Sequence, residues 1–234
     1  TIIVGGGNGS GTFSGTIENG GATIFHVSKT GTGTQVLSGT NTYTGLTTVL
    51  ASGGVLQFGS PASLYNSTVA SWIPANIIVN TGATFAVNVG GVSDFSTGQV
   101  TTLLTNLKTV VSNGLLAGSS FGFDTTNASG SVTIADTITN STGTGSGAMG
   151  VRKLGTGTLI LSAPNTYTGT TNVDAGTLEV TANSGGKVYN VAAAATLQLG
   201  YSTGDSVYGY GVTLAGAGTA ATTGLYLKGG NTYT

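Results

Sequence analysis

Apolar residues recur along this chain in short runs with period two, and glycine, asparagine or serine closes each run. Leu56-Gln57-Phe58 and Leu178-Glu179-Val180 alternate apolar, polar, apolar, and Leu37, Val49, Leu161 and Val173 continue the apolar set. Side chains on a strand point alternately to its two faces, so this pattern predicts short strands with one buried face. Between them lie glycine runs and the string Asn-Thr-Tyr-Thr-Gly, where asparagine and glycine can take the left-handed backbone of a sharp corner. Asn41, Tyr43, Gly45, Asn165, Tyr167 and Gly169 are the corner candidates, with each asparagine expected to bond the backbone of an adjacent coil. One segment has another period. Ser96-Thr97-Gly98-Gln99 has capping-box spacing, and Val100, Leu103, Leu104, Leu107 and Val111 follow at helical intervals, which predicts a helix over about 97–111.

The strand pattern is repeated within the chain. Lys153 to Val180 is matched by Lys29 to Phe58: the lysine, Gly-Thr-Gly-Thr, Leu-Ser and Asn-Thr-Tyr-Thr-Gly keep their order, and Asn231-Thr232-Tyr233-Thr234 begins the last string again. A unit too small to bury its own face must stack on its neighbours, which is the logic of a solenoid. The expected fold is therefore all-β: one parallel β-solenoid over 1–234, with copy one in 1–60, a lateral excursion carrying the helix in 61–148, and copy two in 149–234. Roughly ten coils spaced about 4.8 Å apart would form a rod on the order of 50 Å long. Copy one has extra residues around Ser52 to Gly54, and Gln35 stands where copy two has Leu159, so a bulge is expected in the first coil.

Composition narrows the class. The 234 residues include 42 glycines, 3 prolines and no cysteine, with 6% charged residues and a net charge of −1. Disordered chains combine low hydropathy with high net charge, which this chain does not. The glycines follow no three-residue period, so collagen is excluded. Neither a disulfide framework nor a thiolate metal site can exist. The charge leaves no footprint for nucleic acid or an anionic membrane, and no apolar run is long enough to span a bilayer.

Candidate chemistry is sparse. The acids Glu18, Asp94, Asp124, Asp136, Asp174, Glu179 and Asp205 are scattered singly, Arg152 is the sole arginine, and His26 is the sole histidine, without a triad context. Carbohydrate-cleaving chemistry needs paired carboxylates on one face. The expectation is no enzymatic activity, no catalytic, metal or cofactor-binding residue, and no cofactor. Tyr201, Tyr208, Tyr210 and Trp72 are candidates for stacking on sugar rings or, equally, for filling the core.

Lys-x-Gly-Thr-Gly-Thr-Leu-x-Leu-Ser, Asn-Thr-Tyr-Thr-Gly-x-Thr and Ala-Gly-Thr-Leu-x-Val, as they stand from Lys153 to Val180, resemble the autotransporter-associated β-strand repeat of bacterial passenger proteins. The resemblance implies a right-handed parallel β-helix, export to an extracellular or cell-surface location, a structural or adhesive role, and no catalytic residue. Ile2, Ile3 and Val4 at one end and Tyr226 and Tyr233 at the other read as uncharged, uncapped strand ends. The expected function is a building block of an extracellular bacterial fibre or surface stalk, joined end to end to further copies or continuing in a longer repeat chain. The alternative is an adhesin or carbohydrate-binding passenger domain with a glycan or cell-surface ligand. Neither nucleic acid nor membrane insertion by this segment is expected.

Overall fold

The computed structural model describes residues 1–21, 24–51, 54–182, 184 and 188–200, together with the strand backbone at 213–215 and 224–228. Every strand pairing in it is parallel. Nine strands form the longest sheet: Gly11–Phe13, Thr34–Leu37, Val55–Phe58, Thr84–Asn88, Ser120–Asp124, Gly150–Leu154, Thr171–Val173, Val188–Val191 and Thr213–Ala215. A five-stranded sheet flanks its first half, with Ile2–Val4, Val27–Lys29, Thr47–Val49, Ile77–Val79 and Gly114–Leu115. A second five-stranded sheet flanks the other half, with Val132–Ile134, Thr158–Leu161, Gly176–Val180, Ala195–Gly200 and Gly224–Lys228. Successive strands of one sheet are successive turns of one coil, so the fold is an all-β parallel solenoid. Its nine-stranded sheet, at the usual spacing of about 4.8 Å, is about 40 Å long.

The period-two reading fixes the interior. Leu37, Val49, Leu56, Phe58, Leu161, Val173, Leu178 and Val180 all lie in one buried cluster. Aromatic rings on adjacent turns continue it, with centroids 5.2 Å apart for Phe58 and Phe85 and 5.9 Å for Phe85 and Phe121. Gln57 points away from that cluster yet is only 5% exposed, because its Nε2 group donates to Asn88 Oδ1 at 2.6 Å and Asp124 Oδ2 at 2.8 Å on the next turns.

The stretch 61–148, expected as an excursion, supplies rungs to all three long sheets. What leaves the coil is the helix α1 (Thr97–Leu107) and its connections. Ser96 caps α1, accepting from Gln99 N at 3.2 Å while Gln99 Oε1 accepts from Ser96 N at 2.9 Å. Val100, Leu103, Leu104 and Leu107 are buried in the same cluster as the sheet residues. The helix is shorter than its spacing predicts. Thr109–Val111 is instead a strand paired in parallel with Thr142–Thr144, and Val111, expected on the apolar stripe, is 75% exposed. A run of β-branched residues favours the extended backbone once a partner strand is present. Ser52 and Gly53, at the expected bulge, lie outside the described residues; Gln35 is half-buried and donates to Gly11 O at 3.0 Å.

The two copies do not occupy the same faces. In copy one the lysine strand Val27–Lys29 belongs to the first flanking sheet and Thr34–Leu37 to the nine-stranded sheet. In copy two the lysine strand Gly150–Leu154 is in the nine-stranded sheet and Thr158–Leu161 in the second flanking sheet. The intervening segment thus sets the second repeat one face further round the coil.

Candidate functional site

The Asn-Thr-Tyr-Thr-Gly string is an extended side of the coil. From Asn41 to Gly45 and from Asn165 to Tyr167, burial alternates residue by residue, with the asparagines and tyrosines inward and the threonines outward. Asn41 Oδ1 accepts from Ile17 N at 2.8 Å on the preceding turn, and its Nδ2 donates to Ser63 O at 2.7 Å on the following one. One side chain therefore pins three consecutive turns. Asn165 repeats half of this: Oδ1 accepts from Ile138 N at 2.7 Å, while Nδ2 donates within its own turn to Ala163 O at 2.9 Å.

Each tyrosine reaches a threonine four residues on. Tyr43 and Thr47 share a hydroxyl contact of 2.6 Å, and Tyr167 and Thr171 share the same contact at 2.6 Å. In copy one Thr47 also donates to the Tyr65 hydroxyl at 2.9 Å, and the Tyr43 and Tyr65 rings lie 4.8 Å apart. Burial pushes the phenols of Tyr65 and Tyr167 up to about 12 and raises that of Tyr43 further. Neither asparagine has a left-handed backbone, and neither do Gly45 and Gly169. This corrects the corner rationale: those glycines permit close approach, since a Cβ would stand 2.3 Å from Phe25 O at position 45 and 2.4 Å from Met149 O at position 169.

Sequence reasoning missed the lysines. Lys29 and Lys153 are 1% and 0% exposed, although charged groups ordinarily stay outside. Lys29 Nζ donates to Thr30 O at 2.6 Å and Gly31 O at 2.8 Å. Lys153 Nζ donates to Leu154 O and Gly155 O, both at 2.7 Å, and to Ala175 O at 3.1 Å on the next turn. Each ammonium thus satisfies the carbonyls of the Gly-Thr-Gly bend that follows it. Burial lowers both pKa values, that of Lys153 to about 8, with the nearby carboxylates of Asp124 and Asp174 opposing the shift. The available signal was a lysine recurring ahead of Gly-x-Gly in both copies.

The other expected residues are dispersed. Asp124 accepts from Gln57 and from Thr126 N, Asp94 from Gly91 N and Asn127, Asp136 from Thr101, and Asp174 pairs with Arg152. Glu18 is exposed, Glu179 is half-buried, and His26 Nδ1 accepts from Leu46 N at 2.9 Å. Among the described residues no three of His, Asp and Glu gather into a possible metal site. Trp72 is fully buried, with Nε1 donating to Leu64 O at 3.1 Å and its ring 5.5 Å from Phe95, so it cannot meet a sugar. Tyr201, Tyr208, Tyr210, Tyr233, Asp205 and the side chain of Tyr226 lie outside the described residues. Ile2 and Val4 pack partly on the core, Ile3 is 65% exposed, and their strand is the outermost of its sheet.

These features define a class: a parallel solenoid whose turns are pinned by inward asparagines, with buried tyrosine and lysine bonding the bends and sides of each turn. The passenger-associated-transport-repeat family matches residues 27–58 and 151–180, the two copies that carry those residues. The two copies are thus passenger-type repeats, and the chain that carries them is similar to an autotransporter protein. Over its whole length it is 34% identical to a protein named Adhesin BmaC autotransporter from Brucella suis biovar 1 (strain 1330), in an alignment of 285 positions. It spans 8% of that relative's length. No solved structure matches the chain.

Proposed function

We propose that this chain is a rigid shaft segment of an extracellular, surface-displayed bacterial protein, a building block that extends a fibre or stalk by adding turns at its ends. The observation carrying this reading is the succession of parallel rungs, with buried side chains such as Asn41 bonding neighbouring turns. Under this reading the open edge of one coil pairs with a further turn, from the same longer chain or from another copy. Electron microscopy of the native material tests this. Uniform rods or fibres with an axial repeat near the length of the coil support it, and dispersed short monomers at high concentration overturn it.

A second reading is favoured by the similarity to an adhesin: the shaft's lateral surface binds a glycan or another cell-surface ligand. Adherence of the purified segment to host cells, against a scrambled-surface control, tests that reading. Under either reading the chain acts without catalysis, as its few carboxylates are scattered singly along the sequence. Product release from pectin-like polymers would refute this.

A further inference from the structure

We propose that a furrow on the outer face of the nine-stranded sheet binds a sugar chain through a carboxylate, with Arg152 as its anchor. This inference rests on the adhesive reading and adds a site and a ligand chemistry to it. Four successive rungs cross the furrow: Thr84–Asn88, Ser120–Asp124, Gly150–Leu154 and Thr171–Val173. Phe85, Phe121, Val151 and Val173 point into the core, so by alternation Thr84, Ser120, Gly150, Arg152 and Asn172 point outward. Register places Thr84, Ser120 and Gly150 in one column and Arg152 beside Asn172 in the next.

The furrow encloses about 340 Å³, within the range of small-ligand sites. Glycine hollows it, since a Cβ at Gly150 would stand 2.6 Å from Ser120 Oγ and 2.8 Å from Thr170 O. Thr84 lines it while only 2% exposed, and its hydroxyl has no hydrogen-bond partner among the described residues. A donor and acceptor held at the edge of solvent without a partner is suited to a ligand hydroxyl.

Arg152 supplies the specificity. Its Nε donates to Asp174, and its two terminal amino groups bond no described residue. That leaves a planar fork of donors, which fits a carboxylate in bidentate fashion. Asp174 holds the guanidinium in place. The hydroxyls of Ser120 and Thr170 and the amide of Asn172 match a hydroxyl-rich chain, and the crossing of four rungs spans about 14 Å, room for a short oligosaccharide.

Isothermal titration of the intact chain tests the site with three probes: a galacturonate trimer, sialyllactose, and a neutral galactose trimer. An acidic probe binds, and whether the uronate or the sialate binds identifies the source of the carboxylate. The neutral trimer binds about ten-fold more weakly, as does the acidic probe to Arg152→Gln, since a hydrogen bond to a charged group is lost. Arg152→Lys keeps the charge and loses the fork, so it also weakens binding. The ion pair is half-exposed, so these variants keep the thermal midpoint, and Asn172→Ala gives an independent weakening that leaves the pair intact. Absence of acidic-probe binding at millimolar concentration, equal binding of the neutral trimer, or unchanged affinity in the Arg152 variants overturns the proposal. If the chain adheres to cells and Arg152→Gln adheres equally, the furrow fails while the adhesive reading stands. If acidic sugars bind but cells do not, the furrow stands and the adhesive reading fails.

Discussion

Replacing Asn41 by alanine removes a side chain whose amide lies between two other turns. Two buried backbone groups then lose their partners at once: Ile17 N–H, now bonded at 2.8 Å, and Ser63 C=O, now bonded at 2.7 Å. Asn41 is fully buried, so water does not replace it without opening the coil. Leaving a buried polar group unsatisfied costs about 1–3 kcal/mol, and two coupled losses in one place should cost about 2–4 kcal/mol. Asn165→Ala should cost about 1–3 kcal/mol, because only Ile138 N–H on another turn loses a bond. Repeat arrays do not always unfold in one step, so a global melt alone is a poor reporter. Native-state hydrogen exchange of the Ile17 and Ile138 amides reads each site directly. The expected result is a large loss of protection at Ile17 in Asn41→Ala and at Ile138 in Asn165→Ala, with Thr42→Ala, an exposed neighbour, neutral. Unchanged protection at Ile17 in Asn41→Ala would refute the claim that these asparagines pin the turns.

Tyr167→Phe leaves Thr171 without its 2.6 Å partner and should cost about 1 kcal/mol by denaturant titration. Tyr43→Phe should cost less, because Thr47 keeps its bond to Tyr65. Because burial holds Lys153 at about 8, below its ordinary 10.5, the folded state binds its proton less tightly than the unfolded chain, so stability should rise between about pH 8 and pH 10. Lys153→Met should flatten that rise when stability is measured across the window. Above about pH 10 the sign reverses, since the raised phenols of Tyr65 and Tyr167 stay protonated in the fold while the unfolded chain ionises. Gly45→Ala should lower the melting temperature sharply, with its Cβ 2.3 Å from Phe25 O, whereas Gly98→Ala, in α1 with nothing within 4 Å, should stabilise by up to about 1 kcal/mol.

The interior was legible because it depends on a local rule. Alternation placed Leu56, Phe58, Leu178 and Val180 inward without reference to any other part of the chain. The buried lysines were not legible, because the cost of burying an ammonium is offset by carbonyls of the following bend, an arrangement that exists only after the coil closes. The glycines of Asn-Thr-Tyr-Thr-Gly pointed to the right residues for the wrong reason, since a close approach of the preceding turn leaves no local mark. The end of α1 was misplaced for a similar cause. Val111 keeps helical spacing, and only the distant Thr142–Thr144 strand makes the extended form win. Arg152 stood out by its rarity, but the furrow around it comes from residues on four separate turns.

The shift of the second repeat by one face turns the length of the intervening chain into an angle. On a rod, a motif's position in sequence sets its height, and the segment between two copies sets its compass bearing about the axis. Trimming or lengthening that segment would swing everything carried by copy two around the shaft while leaving each motif intact. A long array of such repeats can thus aim identical sequences in different directions, and spacer length becomes a heritable control over which way a surface faces.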